Sequence, residues 1–417
     1  MKFNPFKPGS IVHPGMFAGR LDEIKELEKA LFQTSQGNPC HFLIHGERGI
    51  GKSSLLLVVD GTAKGFAGIF LDKDQKLNFL TVSVELEPND EYVDLISKIA
   101  RELQRSLDDD DVLKAQLKSV WAFITKWEVL GVKYKRETTP VEAMLEELSE
   151  KLIAVSKGMG PRWSGIYIFI DEADKPTSGA GLGEFVKVLT ERLTKKRVEN
   201  VALGIIGISN VIQKMKDSHE SSVRILTPVH LKPLTPEDSK KVVARGLDSL
   251  SKSKHKAPSI TPKALDIIAN YSEGYPYFIQ QYAYSAFDHD SDDNIDEQDV
   301  VQALTKEKGA LQLLGQRYFE NMYTDEIRSD DYRKVLQVIA QRMPENSTKK
   351  QITEESGLKS HTINNALVAL KKRGSVLPVS GKDGVYRLPS QSFAAWILAF
   401  KVNAVLQASA PLPKPGS

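Results

Sequence analysis

The chain has 417 residues, 41% hydrophobic and 26% charged, which suits about two to four packed domains and excludes a chain too polar to fold. Its single cysteine, Cys40, excludes an internal disulfide and a cysteine-based metal cluster and suits a reducing, cytoplasmic setting. A net charge of +2 hides a split: Tyr332 to Lys401 holds eight lysines and four arginines against four acidic residues, a net +8, so the rest carries −6. A basic C-terminal piece on an acidic body points to a local polyanion site, with a merely solvated surface as the bland alternative. The start, MKFNPFKPGS, has no apolar run of signal-peptide type, and apolar stretches such as Val201–Ile208 fall far short of a membrane span, so no membrane partner is expected.

Residues 1–20, with Pro5, Pro8 and Pro14, read as loop. Leu21 to Phe32 follows as an amphipathic helix, with Ile24, Leu27 and Leu31 on its apolar face. Phe42-Leu43-Ile44 then reads as a short buried strand and Ser54 to Val59 as the start of a helix. Between them, Gly46-Glu47-Arg48-Gly49-Ile50-Gly51-Lys52-Ser53 fits G-x-x-x-x-G-K-[ST] at every fixed position. This is a phosphate-binding loop in the context it needs. Glycines let the backbone turn its N–H groups around phosphate oxygens, and the helix start at Ser54 adds partial positive charge. Lys52 is expected to reach the β- and γ-phosphates of ATP, and the Ser53 hydroxyl to hold Mg²⁺.

Phe79 to Leu86 alternates as a strand, and Glu91 to Leu107 reads as a helix. Residues 108–140 look less regular: an acidic run at Asp108 to Asp111, then Trp121, Trp127 and Tyr134 in a mixed segment. They read as an insertion, either a solvated face or a partner surface. After a helix over Val141 to Val155, Ile166 to Ile170 is a continuous apolar β run ending in Asp171-Glu172. A strand apolar on both faces is what a parallel sheet covered by helices requires. Glu184 to Lys195 reads as a helix, Val201 to Ile208 as a buried strand ending at Ser209-Asn210, and Val229 to Leu231 as a last short strand. Strands alternating with helices predict an α/β parallel sheet of the P-loop NTPase kind.

Ligands bind at the carboxyl ends of such strands. Asp171 is therefore expected to hold Mg²⁺, directly or through water, and Glu172 to polarise the attacking water as general base. Asn210, ending the next strand, either orients water or the γ-phosphate or is a simple turn asparagine. Arg224 is either an arginine finger acting on a neighbouring subunit's nucleotide or a surface arginine. Gly179 to Gly183 follows no strand directly and reads as a mobile loop, not a dinucleotide motif.

From Pro233 the pattern turns helical. Thr235, followed by Pro236 and Asp238, suits a helix N-cap, and Thr261 before Pro262 repeats the arrangement. Residues 233–310 read as a small helical domain, with an acidic loop at Asp288 to Asp293, and Gly309 to Tyr323 as a connecting helix. Residues 311–401 then offer helices at Arg333 to Met343, Thr348 to Ser356 and His361 to Arg373, the last capped by Ser360, with a tight turn at Gly357-Leu358. A β-hairpin follows over Val376 to Leu388. Three helices with that turn and a hairpin resemble a winged helix-turn-helix. Lys359, His361, Thr362, Asn364 and Asn365 lie on the polar face of the third helix, where base edges and phosphates of DNA would be met. Lys371, Lys372, Arg373, Lys382 and Arg387 would add phosphate contacts, unless the module binds protein instead. Residues 402–417, rich in Pro, Ser and Gly, read as a disordered tail.

Taken together, Phe17-Ala18-Gly19-Arg20, the phosphate loop, Ile170-Asp171-Glu172, Gly207-Ile208-Ser209-Asn210, Leu231 to Thr235 and Gly274-Tyr275-Pro276 resemble an AAA+-type ATPase. The branch is that of the origin-recognition and archaeal ATPases, close to the STAND signalling ATPases. The resemblance covers residues 15–305. It implies that Gly19 and Arg20 lie beside the nucleotide base, that Asn210 is a sensor, and that the helical domain over 233–310 is a lid closing over ATP. One departure stands out: Gly274-Tyr275-Pro276-Tyr277-Phe278 lacks the arginine that many AAA+ lids direct at the γ-phosphate. It is similar instead to the Gly-x-Pro element of STAND proteins, in which backbone near Pro276 packs on adenine. A slow, ATP-gated switch is therefore expected over fast ring-type hydrolysis. Three readings follow: a DNA-associated switch, a STAND-like signalling or defence protein, and a regulator of a mobile element.

Overall fold

The computed structural model describes residues 2–10, 18–66, 68–72, 75–108, 113–133, 141–177, 179–252, 255–320, 323, 327, 329–379 and 381–402. Phe17, Tyr134, the acidic run from Asp109 to Asp111 and the predicted tail beyond Val402 lie outside them. The chain divides into two compact units, one of residues 11–232 and one of residues 1–10 with 233–417.

The first unit opens with α1 (Leu21–Ser35), β1 (His41–Gly46) and α2 (Lys52–Ala63). Then come β2 (Phe79–Glu85), α3 (Tyr92–Asp108), α4 (Lys114–Lys133) and α5 (Val141–Gly158). It closes with β3 (Gly165–Asp171), α6 (Leu182–Lys195), β4 (Val201–Gly207), α7 (Val211–Ser218) and β5 (Leu226–Leu231). The five strands form one parallel sheet in the order β2-β3-β4-β1-β5. Strands β3 and β4 lie inside it and read apolar throughout, because helices cover both faces. On one face Leu43, Val82, Ile168 and Leu203 pack against Leu95, Ile99 and Leu103 of α3, Leu148 and Leu152 of α5, and Phe185 and Leu189 of α6. Each such side chain contributes about 1.5–3 kcal/mol by leaving water.

Three sequence expectations change here. Residues 114–133 are not irregular but form the 20-residue α4. Its Val120, Phe123, Ile124 and Trp127, at spacings of three and four, are buried in the same core, while Trp121 stays 56% exposed. The glycines of 179–183 form no mobile loop. Gly179–Gly181 is a tight turn leading into α6, left-handed at Ala180 (φ 47°), Ala180 is buried, and a Cβ on Gly183 would meet the Met215 carbonyl at 2.0 Å. Strand β5 also runs longer than expected, through Pro228; as the edge strand it has no outer ladder for the missing N–H to spoil.

The second unit begins with α8 (Pro236–Lys252), the short β6 (Ser259–Ile260), α9 (Pro262–Ser272) and α10 (Pro276–His289). Next come β7 (Asn294–Ile295), α11 (Glu297–Thr305) and α12 (Ala310–Leu314). It ends with α13 (Asp330–Arg342), β8 (Ser347–Thr348), α14 (Lys349–Ser356), α15 (Ser360–Lys372), β9 (Leu377–Pro378), β10 (Val385–Arg387) and α16 (Gln391–Trp396). The hydroxyls of Thr235 and Thr261 accept the backbone N–H groups of Asp238 and Ala264, the capping expected of them. Thr348 and Gln351 build a full capping box on α14, whereas Ser360 is already helical and Lys359 stands at the N-cap of α15 without a side-chain cap. The N-terminal residues belong to this unit. Phe6 is buried against Gly246 and Phe287, Asn4 donates to the Tyr284 carbonyl and Lys7 N–H to Gln280.

Glu273, at the end of α9, bolts the start of α16: its Oε2 accepts the Gln391 N–H at 2.7 Å, while Ser392 Oγ donates to the Tyr271 carbonyl at 2.7 Å. Burial pushes the Glu273 carboxyl from 4.5 up to about 7, against the pull of that N–H and of Arg387. A carboxyl that holds its proton more tightly when folded gives stability that is lost as pH rises. Stability is thus expected to fall from about pH 4.5 to about pH 7 and then level off. Glu273→Gln keeps an oxygen for Gln391 and flattens that fall, which melting temperatures of both proteins across this range will check.

Candidate functional site

At the carboxyl end of β1 the chain turns through residues 47–51 into α2. Gly49 and Gly51 take φ of 78° and 96°, a region that costs other residues about 1–2 kcal/mol, so the turn requires the motif's second glycine, Gly51, and also Gly49 at one of its variable positions. Gly46 packs tightly too, since a Cβ there would stand 2.7 Å from the Leu231 carbonyl. Lys52 Nζ lies across the loop, donating to the carbonyls of Gly46 at 3.2 Å and Glu47 at 3.0 Å. Burial lowers its pKa, an effect opposed first by Asp174, then by Glu172 and Asp171. An ammonium drawn out of water and held only by neutral carbonyls gains from an anionic ligand. Glu47 and Arg48 are exposed, and Ile50 is buried beneath the loop.

The acidic pair sits where the sequence expects it, at the end of β3. Asp171 Oδ2 is 3.3 Å from Ser53 Oγ, which donates to it, and Asp171 Oδ1 accepts the Glu172 N–H at 2.7 Å. Burial raises the Asp171 pKa, and these two hydrogen bonds oppose the rise. Glu172 takes φ of 52°, a strained value for a non-glycine residue of the kind that collects at functional positions. Its pKa is raised as well, first by burial; Lys175, with Nζ 3.8 Å from Glu172 Oε1 and 2.8 Å from Glu85 Oε1, opposes that rise. Together the phosphate loop, Ser53, Asp171 and Glu172 converge at the carboxyl end of the sheet's inner strands.

Other predicted residues fall as follows. Gly19 and Arg20 both take positive φ and lead into α1. The Arg20 guanidinium is buried and donates to the Ile50 carbonyl at 3.2 Å and to Glu23 at 3.1 Å, so it braces the phosphate loop from behind. Ser54 lies in the first turn of α2. Asn210 is exposed at the start of α7 and does not cap it. Arg224 is exposed in a 3₁₀ turn over Ser222–Ile225. In the second unit Pro276 is the first residue of α10, behind Gly274, whose carbonyl accepts the Leu234 N–H.

In that unit Ile363, Ala366, Leu367 and Leu370 of α15 are buried and Thr362 is half-buried. Lys359, His361, Asn364, Asn365, Lys371, Lys372 and Arg373 point to solvent. Strands β8, β10 and β9 pair antiparallel beside it, and Lys382 and Arg387 are exposed there, while Lys371 stacks over the Tyr386 ring. Sequence reasoning missed Asp174, Lys175 and Lys214. Asp174 had a signal, being the third acid in Asp171-Glu172-Ala173-Asp174. Lys214 had none, since only the fold brings it to the loop after β3.

A family model described as an AAA ATPase domain matches residues 16–195. Among solved structures, the Walker-type ATPase of Pyrococcus abyssi is similar at 16% identity with a TM-score of 0.53, covering 92% of this chain and 96% of that one. The ORC2 protein of Aeropyrum pernix, in its ADPNP–ADP complexes, is similar at 14% identity with a TM-score of 0.56, covering 97% of this chain and 98% of that one. No curated protein matches the sequence. Among the described residues, no helix is long and apolar enough to cross a membrane. Sheet order, phosphate-loop geometry and family match agree on one identity: residues 16–195 are an AAA ATPase domain, and the protein is a P-loop ATPase.

Proposed function

We propose that the protein is an ATP-gated switch of slow or stimulated turnover that binds DNA through residues 311–401, read as a winged helix. The observation that carries the ATP half is the convergence of Lys52, Ser53, Asp171 and Glu172 at one end of the sheet. Ser53 Oγ and the Asp171 carboxylate are two hard oxygen donors 3.3 Å apart, a set that fits Mg²⁺. Bound there, the ion supplies charge for the β- and γ-phosphate oxygens. Lys52 holds those phosphates, Glu172 takes a proton from the attacking water, and Asn210 orients that water or the γ-phosphate. Arg224, exposed on its turn, suits action on a nucleotide held by a second copy of this chain. The absence of arginine from Gly274 to Phe278 favours slow turnover.

Support for the DNA half comes from the cations and amides that α15 and its hairpin turn to solvent, on the Tyr332–Lys401 segment of net charge +8. Titration onto fluorescent duplex DNA at two salt concentrations, with and without ATP, tests it. Binding is expected to weaken steeply with salt, and neutralising Lys371, Lys372 and Arg373 together is expected to reduce the salt slope by about 2–3. No binding at low salt would make the module a protein-binding one, as in a signalling or defence ATPase.

A further inference from the structure

The loop after β3 does more than present Glu172. Its Ala173 N–H donates to the Ile206 carbonyl at 2.9 Å, and Asp174 Oδ1 accepts the Ile208 N–H at 2.8 Å. From the other side, Lys214 on α7 donates its Nζ to the carbonyls of Asp174 at 2.6 Å and Pro176 at 2.7 Å. The turn carrying Asn210 is thus gripped at both ends, at Ile208 before it and at Lys214 after it. Close packing closes the grip: a Cβ on Gly207 would stand 2.9 Å from Asp174 Oδ1 and 3.1 Å from Val211 Cβ.

We infer that Asp174 and Lys214 are positioning residues for the ATPase reaction, a latch that fixes the turn bearing Asn210 against the loop bearing Glu172. This rests on the ATPase reading above. Neither side chain is placed to touch the reacting atoms; each acts through backbone groups of the two loops. Without the latch, Gly207 and Ile208 lose their outer anchor and Asn210 is free to shift. Misplacement on the order of 1 Å is enough to cost a large factor in rate.

Asp174→Ala, Asp174→Asn and Lys214→Met, each in the full chain, separate positioning from bulk stability. Asp174→Ala is expected to speed hydrogen exchange at the Ile208 amide and lower kcat about tenfold, with Mg·ATP affinity changed less than about threefold. Asp174→Asn, whose Oδ1 accepts the same N–H, is expected to restore both, and Lys214→Met to lower kcat without altering affinity. Unchanged kcat in Asp174→Ala, or Asp174→Asn as impaired as Asp174→Ala, would overturn the latch. Wild-type protein that binds no Mg·ATP overturns the ATPase reading instead, whereas an unaltered Ile208 exchange rate in Asp174→Ala strikes the latch alone.

Discussion

Lys52→Ala is expected to weaken Mg·ATP binding at least about a hundredfold, the size of losing a charge-assisted contact worth about 3 kcal/mol. The expectation follows from where the ammonium sits. Its Nζ spans the Gly46 and Glu47 carbonyls at the mouth of the phosphate loop, and burial has already stripped much of its water. A triphosphate replaces those weak carbonyl contacts with charged ones, so the lysine's desolvation is recovered only with nucleotide bound. Alanine removes the cation while leaving the glycine turn, whose φ values do not depend on residue 52. Isothermal titration of both proteins checks it. Equal affinities would remove Lys52 from the phosphate site.

Glu172→Gln is expected to bind Mg·ATP within about threefold of wild type and to lose turnover about 10²–10³-fold, the range for removing a positioned general base. Glutamine matches glutamate in shape, and the backbone N–H that holds Glu172 at φ 52° donates to Asp171, not to its own side chain. Binding determinants are thereby left in place. Burial raises the Glu172 pKa and so strengthens it as a base, an effect that Lys175 opposes without cancelling. Wild-type turnover should already be slow, and single-turnover hydrolysis measures both proteins on one scale. Equal rates would take the role away from Glu172.

Much of this was legible in the chain because the physics is local. The phosphate loop is a contiguous eight residues whose glycines the turn demands, and β3 and β4 announce themselves as apolar runs because both faces are covered. Helix α4 was missed because its buried residues, Val120, Phe123, Ile124 and Trp127, are interleaved with Trp121, Lys118 and Lys126, which blur the helical period. The packed turn at Gly179–Gly181 was mistaken for a mobile loop because glycines that permit close approach look, in sequence, like glycines that permit motion. Asp174, Lys175 and Lys214 needed the fold itself, since Lys214 lies 40 residues from the carbonyl it grips. Arg20 shows the same limit. Its position before α1 was legible, but the bond from its guanidinium to the Ile50 carbonyl crosses 30 residues.

Residues 46–53 with Asp171 are expected to bind a magnesium-complexed triphosphate. Calorimetric titration of folded, full-length protein with Mg·ATP tests it most directly. Saturable heat with one site per chain is expected, lost in Lys52→Ala and kept in Glu172→Gln. No heat of association from folded wild-type protein, at several temperatures, would contradict it.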